Sequence, residues 1–333
     1  MKNKKIIIIA ISLMVLVFIT LSIWYSLNKD NGVTNINKEK ISEYNNPIVP
    51  NGFKKVETET ASWELEGGVP KGFNNGLVIE DTFGNQFVWV PVDINNINYA
   101  KGYIENFKVY DKNSMNENDR EDLQVLKYGG FYLARYEAGV SNEMQNTLNN
   151  ISEDTNDIQG VPVSRKGSRP WNLISLKNAK LNSKSMYITS QLESDLVTEK
   201  QWITIMQWIS DAGYVVSGDS SEWGNYSNVN FKFNGLYSID YGKNYQYGEN
   251  KSKETYNMIL SSGATDRNMA KNIYDLAGNL LEYTDEYTEY NGGGYLCAGG
   301  HFDNTGGYCA DSLSLINTKP LDKVGFRVVL YMK

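Results

Sequence analysis

Residues 272–283 read Asn-Ile-Tyr-Asp-Leu-Ala-Gly-Asn-Leu-Leu-Glu-Tyr and set two carboxylates, two carboxamides and a glycine among apolar neighbours. Asp275 and Glu282 stand seven positions apart, with Gly278 between them. Glycine opens backbone conformations closed to other residues. A tight loop here could aim both carboxylates and a few carbonyl oxygens at one point. Hard cations such as calcium take donor sets of that kind. The same residues also suit an ordinary turn with solvated acids, and spacing alone leaves both readings open.

Few other nucleophiles or metal ligands accompany this stretch. His301 is the only histidine, so a histidine-rich metal centre is excluded. A Ser-His-Asp triad would have to use that residue, and no flanking pattern supports one. The two cysteines, Cys297 and Cys309, leave either a disulfide or two free thiols open. Closing so short a loop would stabilise by about 3 kcal/mol at most. With 32 basic and 39 acidic residues the net charge is −7, which argues against nucleic acid as partner, since phosphate binding needs a basic footprint.

Lys2, Lys4 and Lys5 precede an apolar run over residues 6–25. Twenty helical residues rise about 30 Å, the thickness of a bilayer core. Lysines ahead of such a run favour a cytoplasmic N-terminus. The run ends Ser22-Ile23-Trp24-Tyr25-Ser26, with aromatics where an interfacial belt would sit, whereas a cleaved signal peptide would usually have a shorter apolar region and a cleavage site marked by small residues. The expectation is a short cytoplasmic tail over 1–5, a single-pass anchor over 6–25 and a polar, flexible stalk over 26–51. One domain over 52–333 then lies outside the cytoplasm at the cell membrane.

The elements that must position the chemistry follow from local patterns. Apolar runs at 77–79 and 87–92 flank Asp81-Thr82-Phe83-Gly84-Asn85, a hairpin signal. Pro91 puts a strand end or an edge there. Residues 130–137 and 324–331 read as strands. Arg327 inside the second is costly unless paired, which points to a structural role. Residues 93–127 read as polar and irregular, and 142–160 as a long loop. A short helix is expected at 176–181. The clearest helix starts at Thr198, where Gln201 completes a capping box. Trp202, Ile205, Met206 and Ile209 follow as one apolar stripe, and Gly213 stops it. Residues 215–254, rich in Gly, Asn, Ser and Tyr, should carry little regular structure.

Taken together, residues 272–283 resemble the N-x-Y-D-[ML]-x-G-N-V-W-E-W motif of the formylglycine-generating enzyme (sulfatase-modifying factor) family. Ala298-Gly299-Gly300-His301 is similar to its R-G-G-S segment, and Gly325-Phe326-Arg327-Val328 to its terminal G-F-R. Residues 131–138 resemble its early strand with a Tyr-Glu pair, and 196–202 its L-P-T-E-x-x-W helix start. The implied fold is α+β and C-type-lectin-like, loop-rich, with short antiparallel strands and few helices.

The resemblance implies a structural calcium held by Asp275, Gly278, Leu280 and Glu282. It also implies an oxidase site that this chain departs from. His301 stands at the family's serine, Asn304 at its first cysteine and Cys309 at its second. One thiolate cannot form a two-sulfur copper(I) site, so copper is not expected. The fold is then expected to persist without the chemistry. That leaves a membrane-anchored, non-catalytic module for a protein or glycan ligand. Its expected binding surface is Tyr287, Tyr290, Tyr295, His301, Asn304 and Tyr308, since tyrosine anchors and adaptable polar residues suit recognition loops. The alternative is a formylglycine-generating oxidase that works through Cys309.

Overall fold

A computed structural model describes residues 45–92, 117–141, 144, 157–227, 229–233, 237–240, 243–246, 251–253, 258–288, 294–304, 309–316 and 319–333. The expected tail and anchor, most of the stalk, and Tyr290 and Tyr308 lie outside them. Among the described residues no helix is long and apolar enough to cross a membrane. Asn45–Lys333 forms one compact unit. Pro47 and Pro50 are already buried, and the Tyr132 hydroxyl donates to the Ile48 carbonyl at 3.0 Å. The chain therefore joins the folded unit a few residues ahead of the expected boundary at 52.

The class is α+β, rich in sheet and sparing in helix. Ten strands and three helices carry the argument. In chain order the strands are β1 (Phe53–Val56), β2 (Val78–Asp81), β3 (Gln86–Pro91), β4 (Gly130–Ala134), β5 (Leu192–Leu196), β6 (Leu281–Thr288), β7 (Gly294–Ala298), β8 (Leu313–Ile316), β9 (Val324–Gly325) and β10 (Val328–Met332). The helices are α1 (Glu117–Tyr128), α2 (Leu176–Ser185) and α3 (Glu199–Ser210). A six-stranded sheet runs β1-β2-β3-β4-β10-β5, and a four-stranded sheet runs β8-β7-β6-β9.

The local signals explain several of these elements. In the β2–β3 hairpin, Asp81 Oδ1 accepts from the amides of Phe83 and Asn85, both at 2.8 Å, and Gly84 takes φ +84°. Pro91 closes β3 opposite Gly130, so it marks an end and not an edge. Helix α3 begins with the capping box: Thr198 Oγ1 accepts from the Gln201 amide at 3.2 Å, and Gln201 Oε1 from the Thr198 amide at 2.9 Å. Its stripe of Trp202, Ile205, Met206 and Ile209 is buried against Val88, Val90, Leu133 and Val329 of the large sheet. Fully burying each such side chain contributes about 1.5–3 kcal/mol.

Three expectations need correction. Helix α1 occupies 117–128, inside a stretch read as irregular. Short ladders involving Phe231–Phe233, Tyr237–Asp240, Lys243–Gln246 and Lys251–Lys253 fall in the region expected to be nearly unstructured. The strand expected over 324–331 is two strands: β9 belongs to the small sheet and β10 to the large one. The break falls at Phe326 and Arg327, where the Arg327 side chain turns toward partners in both halves of the chain.

Candidate functional site

The loop ahead of β6 is wound by left-handed residues. Lys271, Asn272, Asp275, Gly278 and Asn279 all have φ between +47° and +75°. Asn, Asp and Gly tolerate this conformation at the least cost, so the residue types at 272, 275, 278 and 279 explain the loop's path. At Gly278 the requirement is double. A Cβ there would lie 2.3 Å from the Asn225 carbonyl oxygen.

Apart from the half-buried Lys271, this path buries every polar side chain it carries. The Asn272 amide nitrogen donates to the carbonyls of Gly76 at 2.9 Å and Asn75 at 3.2 Å, closing the loop onto the chain ahead of β2. Asn279 is a hub. Its Nδ2 donates to Glu137 Oε2 at 2.5 Å and to the Leu260 carbonyl at 3.2 Å. Its Oδ1 accepts from the Leu260 amide at 2.8 Å and from Asn225 Nδ2 at 2.9 Å. Asp275 Oδ2 accepts from the Gly263 amide at 2.8 Å. Glu137 Oε1 accepts from the Leu280 amide at 3.1 Å.

Glu282 faces Arg327. Arg327 Nε donates to Oε1 at 3.0 Å and to Oε2 at 2.9 Å, while Nη2 donates to Oε1 at 2.5 Å. The rest of the guanidinium reaches the carbonyls of Ala134 at 3.1 Å and Tyr274 at 3.0 Å. Glu137, Asp275, Glu282 and Arg327 are all buried, so three carboxyls share one guanidinium away from water. Burial lifts the Glu137 carboxyl well above its usual range, and the charges of Asp275 and Glu282 push it further. Burial also lifts Asp275 to about 6, against the pull of the Gly263 amide and Arg327. Burial likewise raises Glu282 despite its arginine. Neither acid of residues 272–283 is the solvated turn residue that composition allowed.

The described residues of the expected binding surface are divided between two ends of the β6–β7 hairpin. Tyr287 and Tyr295 are cross-strand partners near the hairpin tip, with ring centroids 5.3 Å apart in an edge-to-face contact. Tyr287 is 57% exposed. Beside this pair lies an open groove of about 640 Å³ between α2 and the hairpin, lined by Leu176, Lys180, Leu181, Lys184, Asp285 and Tyr295, among others. Lys180 is ion-paired with Asp285 across it, and Lys184 lies 3.5 Å from Asp195. No sequence pattern marks this groove, because helix α2 continues through Ser185 and its Lys180 meets Asp285 of the hairpin only in three dimensions.

His301 and Asn304 sit beyond the other end of β7, in a turn that closes on itself. Asn304 Oδ1 accepts from the His301 amide at 2.8 Å, and the His301 carbonyl accepts from the Asn304 amide at 3.0 Å. The Asn304 carbonyl is held by the Ser227 hydroxyl at 2.7 Å. His301 Nδ1 accepts from the Asp303 amide at 3.2 Å, so the ring is neutral. Burial, together with Lys323, lowers its pKa to about 4. Gly299 and Gly300, at φ +94° and +73°, let the turn press against Trp202 and Tyr226.

Both cysteines are free thiols, one of the two states that the sequence left open. Cys297 is buried in β7, and burial raises its pKa well above the ordinary thiol value. Cys309 is half-buried, and burial and the neighbouring Asp311 raise its pKa too. A reactive thiol needs the opposite shift.

No family model matches the chain, and no curated protein matches it. Among solved structures, one described as the crystal structure of CarF is similar at a TM-score of 0.39 and 14% identity. The match covers 61% of this chain and 87% of that one. A likeness that slight carries no assignment of family or activity.

Proposed function

We propose that this chain is a membrane-anchored, extracytoplasmic binding module that displays a ligand groove on a scaffold resembling the formylglycine-generating enzymes. The observation that carries the reading is the groove of about 640 Å³ between α2 and the β6–β7 hairpin, with Tyr295 in its wall and the exposed Tyr287 packed against that tyrosine. Tyrosines of this kind bring contact area with few rotatable bonds, and they dominate recognition surfaces for that reason. The ligand is a protein or a glycan, not nucleic acid, given the net charge of −7. Membrane attachment rests on the lysines at 2, 4 and 5 and the apolar run over 6–25.

The binding reading is favoured over an oxidase by the state of the residues the enzyme would use. The Asn304 side chain is spent on its own turn, His301 holds the Asp303 amide, and the Cys309 thiol is shifted away from the thiolate. The test is a glycan array and a cell-surface protein capture with the full chain in detergent. A saturable ligand whose affinity falls at least about tenfold in Tyr287→Ala and Tyr295→Ala is expected, the loss typical of an aromatic anchor. Absence of any saturable ligand, or binding indifferent to both substitutions, would refute it.

A further inference from the structure

We infer that Arg327 supplies, from within the chain, the cation that the resemblance assigns to calcium, so that residues 272–283 are held without a metal. The two candidates compete for the carboxylate of Glu282. Of the four implied calcium ligands, Asp275 and Glu282 supply the negative charge, and Glu282 gives both oxygens to the Arg327 fork. The guanidinium completes its shell with main-chain carbonyls, those of Ala134 and Tyr274. A carboxylate plus backbone carbonyls is also the kind of set a calcium ion would take. Asp275, the other charged member, has its Oδ2 on the Gly263 amide.

A divalent ion at Glu282 would have to displace a fully buried guanidinium or sit beside it. Displacement would take from the buried guanidinium the carboxylate it is bonded to, and removing one partner of a buried ion pair is costly. The fork also does something an ion could not. It is covalently part of the segment between β9 and β10, so it ties the crossing of the two sheets to β4 and β6.

The test is thermal unfolding of the full chain in detergent, in EDTA and in 1 mM calcium. A structural site occupied at a hundredfold its dissociation constant would raise the midpoint by about 4 °C in a domain of this size. The expected result is a midpoint that moves by less than about 1 °C. A rise near 4 °C that Glu282→Gln abolishes would overturn the inference. Arg327→Lys supplies a second arm that does not depend on added metal. A point charge cannot reproduce the planar fork, so its midpoint should fall by at least about 4 °C, equally in EDTA and in calcium. A wild-type midpoint in Arg327→Lys would also overturn it.

Discussion

Replacing Asn279 tests whether one carboxamide organises the buried cluster. Its side chain makes four hydrogen bonds, and truncation leaves Leu260 without its amide and carbonyl partners and Glu137 Oε2 without its donor. Asn225 Nδ2 keeps the Met258 carbonyl at 3.0 Å, so it is not fully orphaned. A buried polar group left without a partner costs about 1–3 kcal/mol. Three such groups, partly relieved by relaxation, give about 4 kcal/mol. Unfolding entropy near 2.1 cal/mol/K per residue amounts to about 0.6 kcal/mol/K for this unit. The midpoint should then fall by about 7 °C. Asn279→Gly and Asn279→Ala separate two contributions. Both lose the hydrogen bonds, but alanine keeps a Cβ at φ +62°, without the polar side chain that lets asparagine tolerate it, whereas glycine removes the Cβ. Alanine should be the less stable by about 1 kcal/mol. Calorimetry or circular dichroism melts would read both. A midpoint for Asn279→Gly within about 1 °C of wild type would refute the hub.

Other outcomes follow from the same geometry. Asp275 is raised to about 6, so the folded chain binds its proton more tightly than the unfolded chain does. Its contribution therefore falls as pH climbs from about 4 to about 6, by up to about 3 kcal/mol. Denaturant midpoints across that window should lose this slope in Asp275→Asn. His301 works in the opposite direction: with its pKa lowered to about 4, it favours folding above the unfolded value and loses that benefit as pH falls from about 6.5 toward 4. As the only histidine, its ring resonances should stay unshifted from pH 7 to pH 5, and movement near 6.5 would refute its burial. Thiol titration without reductant should find two reactive groups after denaturation and at most one, reacting slowly, in the native chain; none after denaturation would mean a disulfide. Gly278→Ala should lower the melting midpoint by at least about 3 °C, because its Cβ would meet the Asn225 carbonyl oxygen at 2.3 Å.

Local patterns announced the elements whose causes are themselves local. Thr198 and Gln201 stand three residues apart, so the start of α3 was legible in the chain, as was its buried stripe. Asp81, Gly84 and Asn85 wrote the β2–β3 turn in the same way. The unusual residue types at 272, 275, 278 and 279 marked a tightly wound loop, and the left-handed backbone there accounts for them. Helix α1 escaped notice because its composition is polar, and its place is set by packing of Val125 and Leu126 into the core.

What only the tertiary structure decided is which charges meet. Glu137 lies 142 residues from Asn279, and Arg327 lies 45 from Glu282. No sequence pattern spans those gaps. The pairings arise because β10 enters the large sheet between β4 and β5, while β9 joins β6 in the small one. That crossing brings the Arg327 fork within reach of Glu282 and the Ala134 carbonyl at once. Amino-acid type made Asp275 and Glu282 available as ligands or as solvated turn residues. Burial excluded water, and a buried carboxylate must find a partner in the chain. The sheet crossing decided that Glu282's partner is an arginine.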